Sequence, residues 1–137
     1  MTKKQIILGN RISELPALSA FIEGCGEEWQ LGPEVVFSLQ LALEECVTNV
    51  IMYAYPPEEQ HTLQGTAVLQ LPDLIFTTEA SRVPFDPTQV AEADTSLPAE
   101  ERPIGGLGIF LVRQLMDSVE YRREGEKNLL TLRKQVN

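Results

Sequence analysis

The order in which this chain's elements fall predicts an α+β fold, a two-layer α/β sandwich with helices packed on one side of a sheet. Two observations carry the prediction. Helix-period segments occupy the first third of the chain, and strand-like runs then come in two pairs, each joined by a short turn. Strands segregated from helices in this way give one sheet with a helical layer, not the alternating βαβ units of a doubly wound fold.

The first element is a short strand, Lys4 to Leu8, bounded by Gly9 and Asn10. Ser13 then reads as an N-cap, with Glu14 in the first turn and Pro16 behind it, so a helix is expected to about Trp29. Leu15, Leu18, Phe21, Ile22 and Cys25 form its apolar stripe. Gly32-Pro33 breaks the chain and restarts it, since proline suits the first helical turn. A second helix follows from about Glu34 to Tyr53, with Val36, Leu39, Leu43, Val47 and Val50 on the face turned to a sheet. Pro56-Pro57 stops it. Two strands near Thr62–Leu71 and Leu74–Glu79 meet at Pro72-Asp73, which is short enough for a hairpin. From Ser81 to Ile104 the pattern is irregular, with Pro84, Pro87, Pro98 and Pro103 in it; a stretch of that length in a small domain reads as a functional lid or a disordered insertion. A third helix from Gly108 to Met116 and a hairpin of Ser118–Arg123 with Asn128–Lys134 complete the chain.

Size and charge narrow the function. The 137 residues make one domain, residues 1–137, large enough for a single core. Eleven basic against twenty acidic residues, a formal charge of -9, argue against a nucleic-acid binder. The basic residues that gather late, Arg113, Arg122, Arg123, Lys127, Arg133 and Lys134, read as a polar sheet surface. No run approaches the roughly 20 apolar residues of a membrane span. The N-terminal apolar stretch is too short for a signal peptide, so a cytoplasmic protein is expected. Cys25 and Cys46 lack CxxC spacing and read as reduced, buried thiols. With His61 the single histidine, neither a zinc centre nor a Ser-His-Asp triad is expected.

The residues with chemical content lie in Leu41–Tyr55, LALEECVTNVIMYAY, and in Pro103–Arg113, PIGGLGIFLVR. Glu45 and Asn49 are four residues apart, so a helix presents both on one face, away from its sheet-packing stripe and together with Ser38 and Ala42. A carboxylate beside an amide oxygen suits a proton acceptor standing next to a bound cation. Gly105, Gly106, Leu107 and Gly108 run straight into the third helix, whose N-terminus favours phosphate. Each feature also has a plainer reading: an exposed helix acid, as Glu44 reads, a solvated amide, a helix-entry turn.

Taken together, these segments resemble the Bergerat-fold (GHKL) ATPases, and among them the small anti-sigma-factor serine/threonine kinases. The resemblance covers nearly the whole chain. LALEECVTNVIMYAY looks like the family's N box, RPIGGLGIFLVRQLMD like its second glycine box, and Pro84-Phe85-Asp86-Pro87 like the signature that begins the ATP lid. The closing YRREGEKNLLTLRK resembles the last hairpin. The resemblance implies a histidine-kinase-like ATPase fold with a mixed sheet, and ATP and magnesium as cofactors. It implies Glu45 as catalytic base and Asn49 as magnesium ligand. Nucleotide contacts would come from Asn49, Arg102, Gly105, Gly106, Leu107, Gly108 and Thr131. A sigma factor and/or a STAS-domain anti-sigma antagonist would be the partner, with neither nucleic acid nor membrane bound directly, and the chain would be a homodimer to which Phe21 and Trp29 contribute unless they are core.

The pattern departs from the family at one place. The aspartate and glycine that receive adenine would fall on Ala80 and Arg82. Alanine has no acceptor, and arginine puts a long cation where a bare backbone is expected. Glu79 is one residue away, which on a strand means the opposite face unless a bulge intervenes. Three readings stay open: an ATP-dependent kinase of an antagonist protein, a catalytically degenerate module acting by protein binding, and a protein with an altered nucleotide choice set by Arg82.

Overall fold

A computed structural model describes residues 2–56, 58–81, 84–89 and 108–136. Strand β1 (Thr2–Gly9) leads through a 3-10 turn, Ile12–Glu14, into helix α1 (Leu15–Glu28). Helix α2 (Pro33–Asn49) continues into a π-helical turn, Val50–Ala54. Strands β2 (Thr62–Gln70) and β3 (Asp73–Ser81) follow, then a 3-10 turn at Pro87–Gln89. The short helix α3 (Ile109–Leu115) precedes strands β4 (Ser118–Glu124) and β5 (Lys127–Gln135). The expected element order holds for these residues.

The five strands lie in the order β1-β2-β3-β5-β4. Each neighbouring pair is antiparallel, so the mixed sheet that the sequence reading expected is not what forms among the described strands. The reason is connectivity: α1 and α2 return the chain so that β2 runs back along β1, and two-residue turns close the other two local pairs. The β2–β3 turn is Leu71-Pro72, its peptide bond cis, one residue earlier than expected. The β4–β5 turn opens on Gly125 at φ 58, a conformation glycine adopts freely.

Helix α1 starts differently from its sequence signal. Ser13 sits inside the 3-10 turn and makes no capping hydrogen bond; Glu14 instead accepts a bond from the Gly9 N–H through Oε1 at 2.8 Å, tying the helix entry to the end of β1. The helix ends by a Schellman pattern, with Gln30 at φ 54 and the Leu31 N–H donating to the Gly26 carbonyl at 2.9 Å. Gly26 also lets the helices meet, because a Cβ there would lie 2.6 Å from Val36 Cγ2.

Along β3, Leu74, Phe76, Thr78 and Ala80 are buried under the helices, while the intervening residues face away. Leu18, Ile22, Leu39, Leu43, Val47, Leu130 and Leu132 complete the core. Phe21 and Trp29 pack against that core, Phe21 edge-on to Phe76 with ring centroids 6.2 Å apart. Of the six late basic residues expected on a polar sheet surface, three are there: Arg133 pairs with Asp73 at 3.0 Å, Arg122 with Glu124 at 2.8 Å and Lys127 with Glu79 at 3.5 Å. Arg113 instead lies on α3, Lys134 donates to the Leu115 carbonyl and Arg123 to Asn128.

Candidate functional site

From Ala42 onward α2 is enclosed nearly all round, by the sheet on one side and α3 on the other. Glu45 and Asn49 are therefore not a solvated pair: they are 4% and 5% exposed. Burying a carboxylate is costly unless a donor meets it. Here the Gly108 N–H donates to Glu45 Oε1 at 3.0 Å. Gly108 stands just before α3 with φ 90 and ψ 149, a backbone state that side chains disfavour, and this brings its amide onto the carboxylate. The acid of α2 thus meets the last glycine of the run, Gly108.

One helical turn on, Asn49 Nδ2 donates to the Pro87 carbonyl at 3.4 Å, which leaves its side-chain oxygen as the atom suited to a hard cation. Magnesium commonly takes one or two protein oxygens and fills the rest of its shell with phosphate oxygens and water. A lone amide oxygen fits that class of site. Among the described residues no group of three or more His, Cys, Asp or Glu offers a self-sufficient metal centre.

The Pro84–Pro87 signature has a structural task at this point. Asp86 Oδ1 accepts from the Thr88 N–H at 2.9 Å and from its hydroxyl at 2.7 Å, closing the 3-10 turn. Phe85 N–H donates to Asn128 Oδ1 at 3.1 Å. The segment is thereby pinned to α2 by Pro87 and to β5 by Phe85.

Ala80 lies where the base-recognition aspartate was expected, opposite Asn128 on β5 and Leu63 on β2. Its methyl lines a cavity with Val50, Ala54, Thr78, Phe85, Tyr121 and Asn128. The cavity measures about 10 Å3, the space of a single water and far below that of a purine. Among the described residues, Asn49 and the Gly108 amide suit the cation and phosphate end of a nucleotide, while Ala80 offers no acceptor to a base. Glu79 supplies no substitute: β3 runs through it without a bulge, and its carboxylate pairs with Lys127 on the open face.

Thr131 corrects another expectation. It alternates with Leu130 and Leu132, both buried in the core, and so points to the open face, where its hydroxyl lies 3.5 Å from that of Thr77. The β5 residue at the cleft is Asn128, which the sequence reading missed. Its Oδ1 collects the Phe85 N–H, the Tyr121 hydroxyl at 2.5 Å and Arg123 Nη1 at 3.2 Å. The available signal was an asparagine inside a strand-like apolar run, where propensity disfavours it. Arg82, Arg102, Gly105, Gly106 and Leu107 lie outside the described residues.

Cys46 adjoins Glu45 in the helix, and burial, reinforced by that carboxylate and opposed by Arg113, pushes its thiol up to about 12. Burial raises Cys25 as well, against the pull of Lys4. Both are free buried thiols, as expected.

A sheet of this order under three helices, with a buried acid and amide on the second helix facing a glycine hinge, defines the histidine-kinase-like class of ATPase domains. The sequence pattern of the histidine kinase-like ATPase domain matches residues 9–134, and the chain belongs to that family. Among curated proteins, it is 31% identical over 108 residues to the serine-protein kinase RsbW of Listeria innocua, and 29% over 103 residues to that of Listeria monocytogenes. Each alignment covers 72% of this chain and 66% of the relative, so the chain spans about two thirds of their length. The serine/threonine-protein kinase BtrW of Bordetella bronchiseptica is 25% identical over 96 residues, covering 70% of this chain and 68% of BtrW. A crystal structure of the RsbU and RsbW domains of a Mycobacterium tuberculosis protein superposes with a TM-score of 0.70 at 12% identity, over 99% of this chain and 33% of that one, a likeness of fold.

Proposed function

We propose that this chain is an anti-sigma-type regulator, a serine/threonine protein kinase that uses Mg-ATP to phosphorylate a STAS-type antagonist protein and that engages a sigma factor in the cytoplasm as a homodimer. The observation behind this reading is the buried Glu45 carboxylate on the Gly108 amide, one turn from Asn49. Phosphoryl transfer to a hydroxyl needs a base, a metal-held phosphate and amides facing the anion. Glu45 would take the hydroxyl proton, Asn49 would hold the cation that neutralises the phosphates, and Gly108 would direct the hinge toward them. The kinase names of the relatives support the same assignment.

A second reading has its own observation. Ala80 and the nearly filled cavity around it deny adenine both its acceptor and its room. On this reading the chain keeps the fold and regulates by binding a protein partner without nucleotide turnover. Losing a buried ligand hydrogen bond alone costs about 1–3 kcal/mol, roughly ten- to a hundredfold in affinity.

Calorimetric titration with Mg-ATP separates the two. Micromolar affinity that vanishes in Asn49→Ala, together with phosphate transfer to a serine of an antagonist protein, supports the kinase. No heat at millimolar nucleotide removes it and leaves the binding module. Ala80→Asp combined with Arg82→Gly is expected to raise nucleotide affinity, and unchanged binding in that double variant would refute the assignment of those positions to the base pocket.

A further inference from the structure

A groove of about 640 Å3 opens where the C-terminal ends of β1 and β3 meet the start of β2. Its chemistry comes from Asn10, Arg11, Gln60, His61, Thr62 and Ser81. Thr62 and Ser81 precede and follow Leu63 and Ala80, which face the helical layer, so their side chains turn away from the nucleotide cleft. The groove is a separate place on the molecule, with a volume in the range of small-molecule sites.

Its frame is held at several points. Asn10, 5% exposed, donates through its backbone to the His61 carbonyl at 3.1 Å and through Nδ2 to the Glu59 carbonyl at 2.9 Å, and its Oδ1 accepts the His61 N–H at 2.9 Å. The His61 ring stacks on Tyr55, centroids 4.3 Å apart and 13° from parallel, with Nε2 2.8 Å from Glu59 Oε1. Against this frame Arg11 Nη1 donates to the Asn10 carbonyl at 3.0 Å and the Glu59 carbonyl at 3.3 Å.

Those two contacts fix the guanidinium but do not neutralise it, because both acceptors are uncharged carbonyls. Arg11 makes no ion pair among the described residues; Lys3, Arg113 and Lys134 make none either, but of these Arg11 alone lines the groove. A guanidinium presents a rigid fork of donors that matches an oxyanion, and here Gln60, Thr62 and Ser81 add neutral donors around it.

We propose that this groove binds a small polar ligand through an oxyanion, phosphate or carboxylate, with Arg11 as its anchor. The test is a 15N-resolved NMR titration of the whole chain at constant ionic strength, with inorganic phosphate, pyrophosphate and citrate as separate probes. Saturable shifts at the amides of Arg11, Gln60, Thr62 and Ser81 are expected. Arg11→Gln should weaken binding on the order of tenfold or more, Arg11→Lys less. Tighter binding of pyrophosphate than citrate assigns the groove to phosphorylated ligands, and the reverse order to carboxylates. Absence of saturable shifts at these amides with all three probes overturns the proposal, as does Arg11→Gln binding like the wild type. Thr62→Ala, on an exposed strand end, gives a second handle if Arg11→Gln disturbs the loop, and it too must weaken binding. Asn49→Ala should leave these shifts unchanged, so a failure of nucleotide binding and a failure here are told apart.

Discussion

Asn128→Ala removes one acceptor on which three donors converge, and its cost can be worked from those donors. The Phe85 N–H and the Tyr121 hydroxyl are partly buried beside a cavity too small for more than one water. Arg123 is partly exposed and can return to solvent. Orphaning a buried donor costs about 1–3 kcal/mol, so two of them, partly relieved by a single water, predict a loss of about 2–4 kcal/mol. At about 2.1 cal/mol/K per residue, a chain of 137 residues has an unfolding entropy near 0.29 kcal/mol/K, and a 3 kcal/mol loss lowers Tm by about 10 °C. Urea denaturation followed by circular dichroism measures the free energy, and a double-mutant cycle with Tyr121→Phe apportions the hydroxyl's share. Asn128→Asp, which keeps an acceptor, should cost less than Asn128→Ala. If Asn128→Ala stays within about 0.5 kcal/mol of wild type, the pinning of the Pro84–Pro87 segment to β5 is not what holds that end of the cleft.

Glu45→Gln keeps an oxygen facing the Gly108 N–H and should cost only about 1 kcal/mol, the difference between charged and neutral hydrogen bonds. Any phosphotransfer should nevertheless fall about 100- to 10,000-fold, and a radiolabel transfer assay beside a melting curve reads both. Gly65→Ala would place a Cβ 2.9 Å from Phe76 Cζ and 3.0 Å from Ile6 Cγ2, so overpacking should destabilise by about 1–3 kcal/mol in chemical denaturation; a stabilised variant would contradict the packing described. The Cys46 thiol, raised from 9.0 to about 12, binds its proton more tightly in the folded state. Its contribution is complete below pH 9 and is lost as pH climbs toward 12, at about 1.4 kcal/mol per pH unit. Comparing alkaline unfolding of wild type with Cys46→Ala isolates it, since the variant should show the shallower slope.

What the sequence revealed and what it hid follow from how periodic each signal is. Glu45 and Asn49 lie on a long helix whose phase is fixed by Leu39, Leu43 and Val47, so their shared face could be read directly. Their burial could not, because it depends on α3 arriving from more than fifty residues away. The resemblance put Thr131 at the nucleotide, and the sequence offers no check on it: Leu129 and Leu130 are adjacent, and two consecutive apolar residues erase the alternation that tells one face of a strand from the other. The same ambiguity hid Asn128. Ser13 carried the composition of a helix cap, yet Glu14 reached back to Gly9 and took the role of anchoring the entry, a tertiary contact outranking a local preference. The antiparallel sheet depended on strand order, which no local pattern encodes.

The pairing of bases with acids on the open face of the sheet has an electrical corollary. Lys3, Arg122, Lys127 and Arg133 share that face with Asp73, Glu79, Glu120 and Glu124, so it is close to neutral. Helices α1 and α2 carry Glu23, Glu27, Glu28, Glu34, Glu44 and Glu45 and neither lysine nor arginine. Among the described residues negative charge is thus weighted toward the helical layer, even with Glu28 paired to Lys4 and Glu45 buried. An approaching cationic surface would be turned toward the helices before any contact forms, and added salt would slow that encounter more than it would loosen the finished complex.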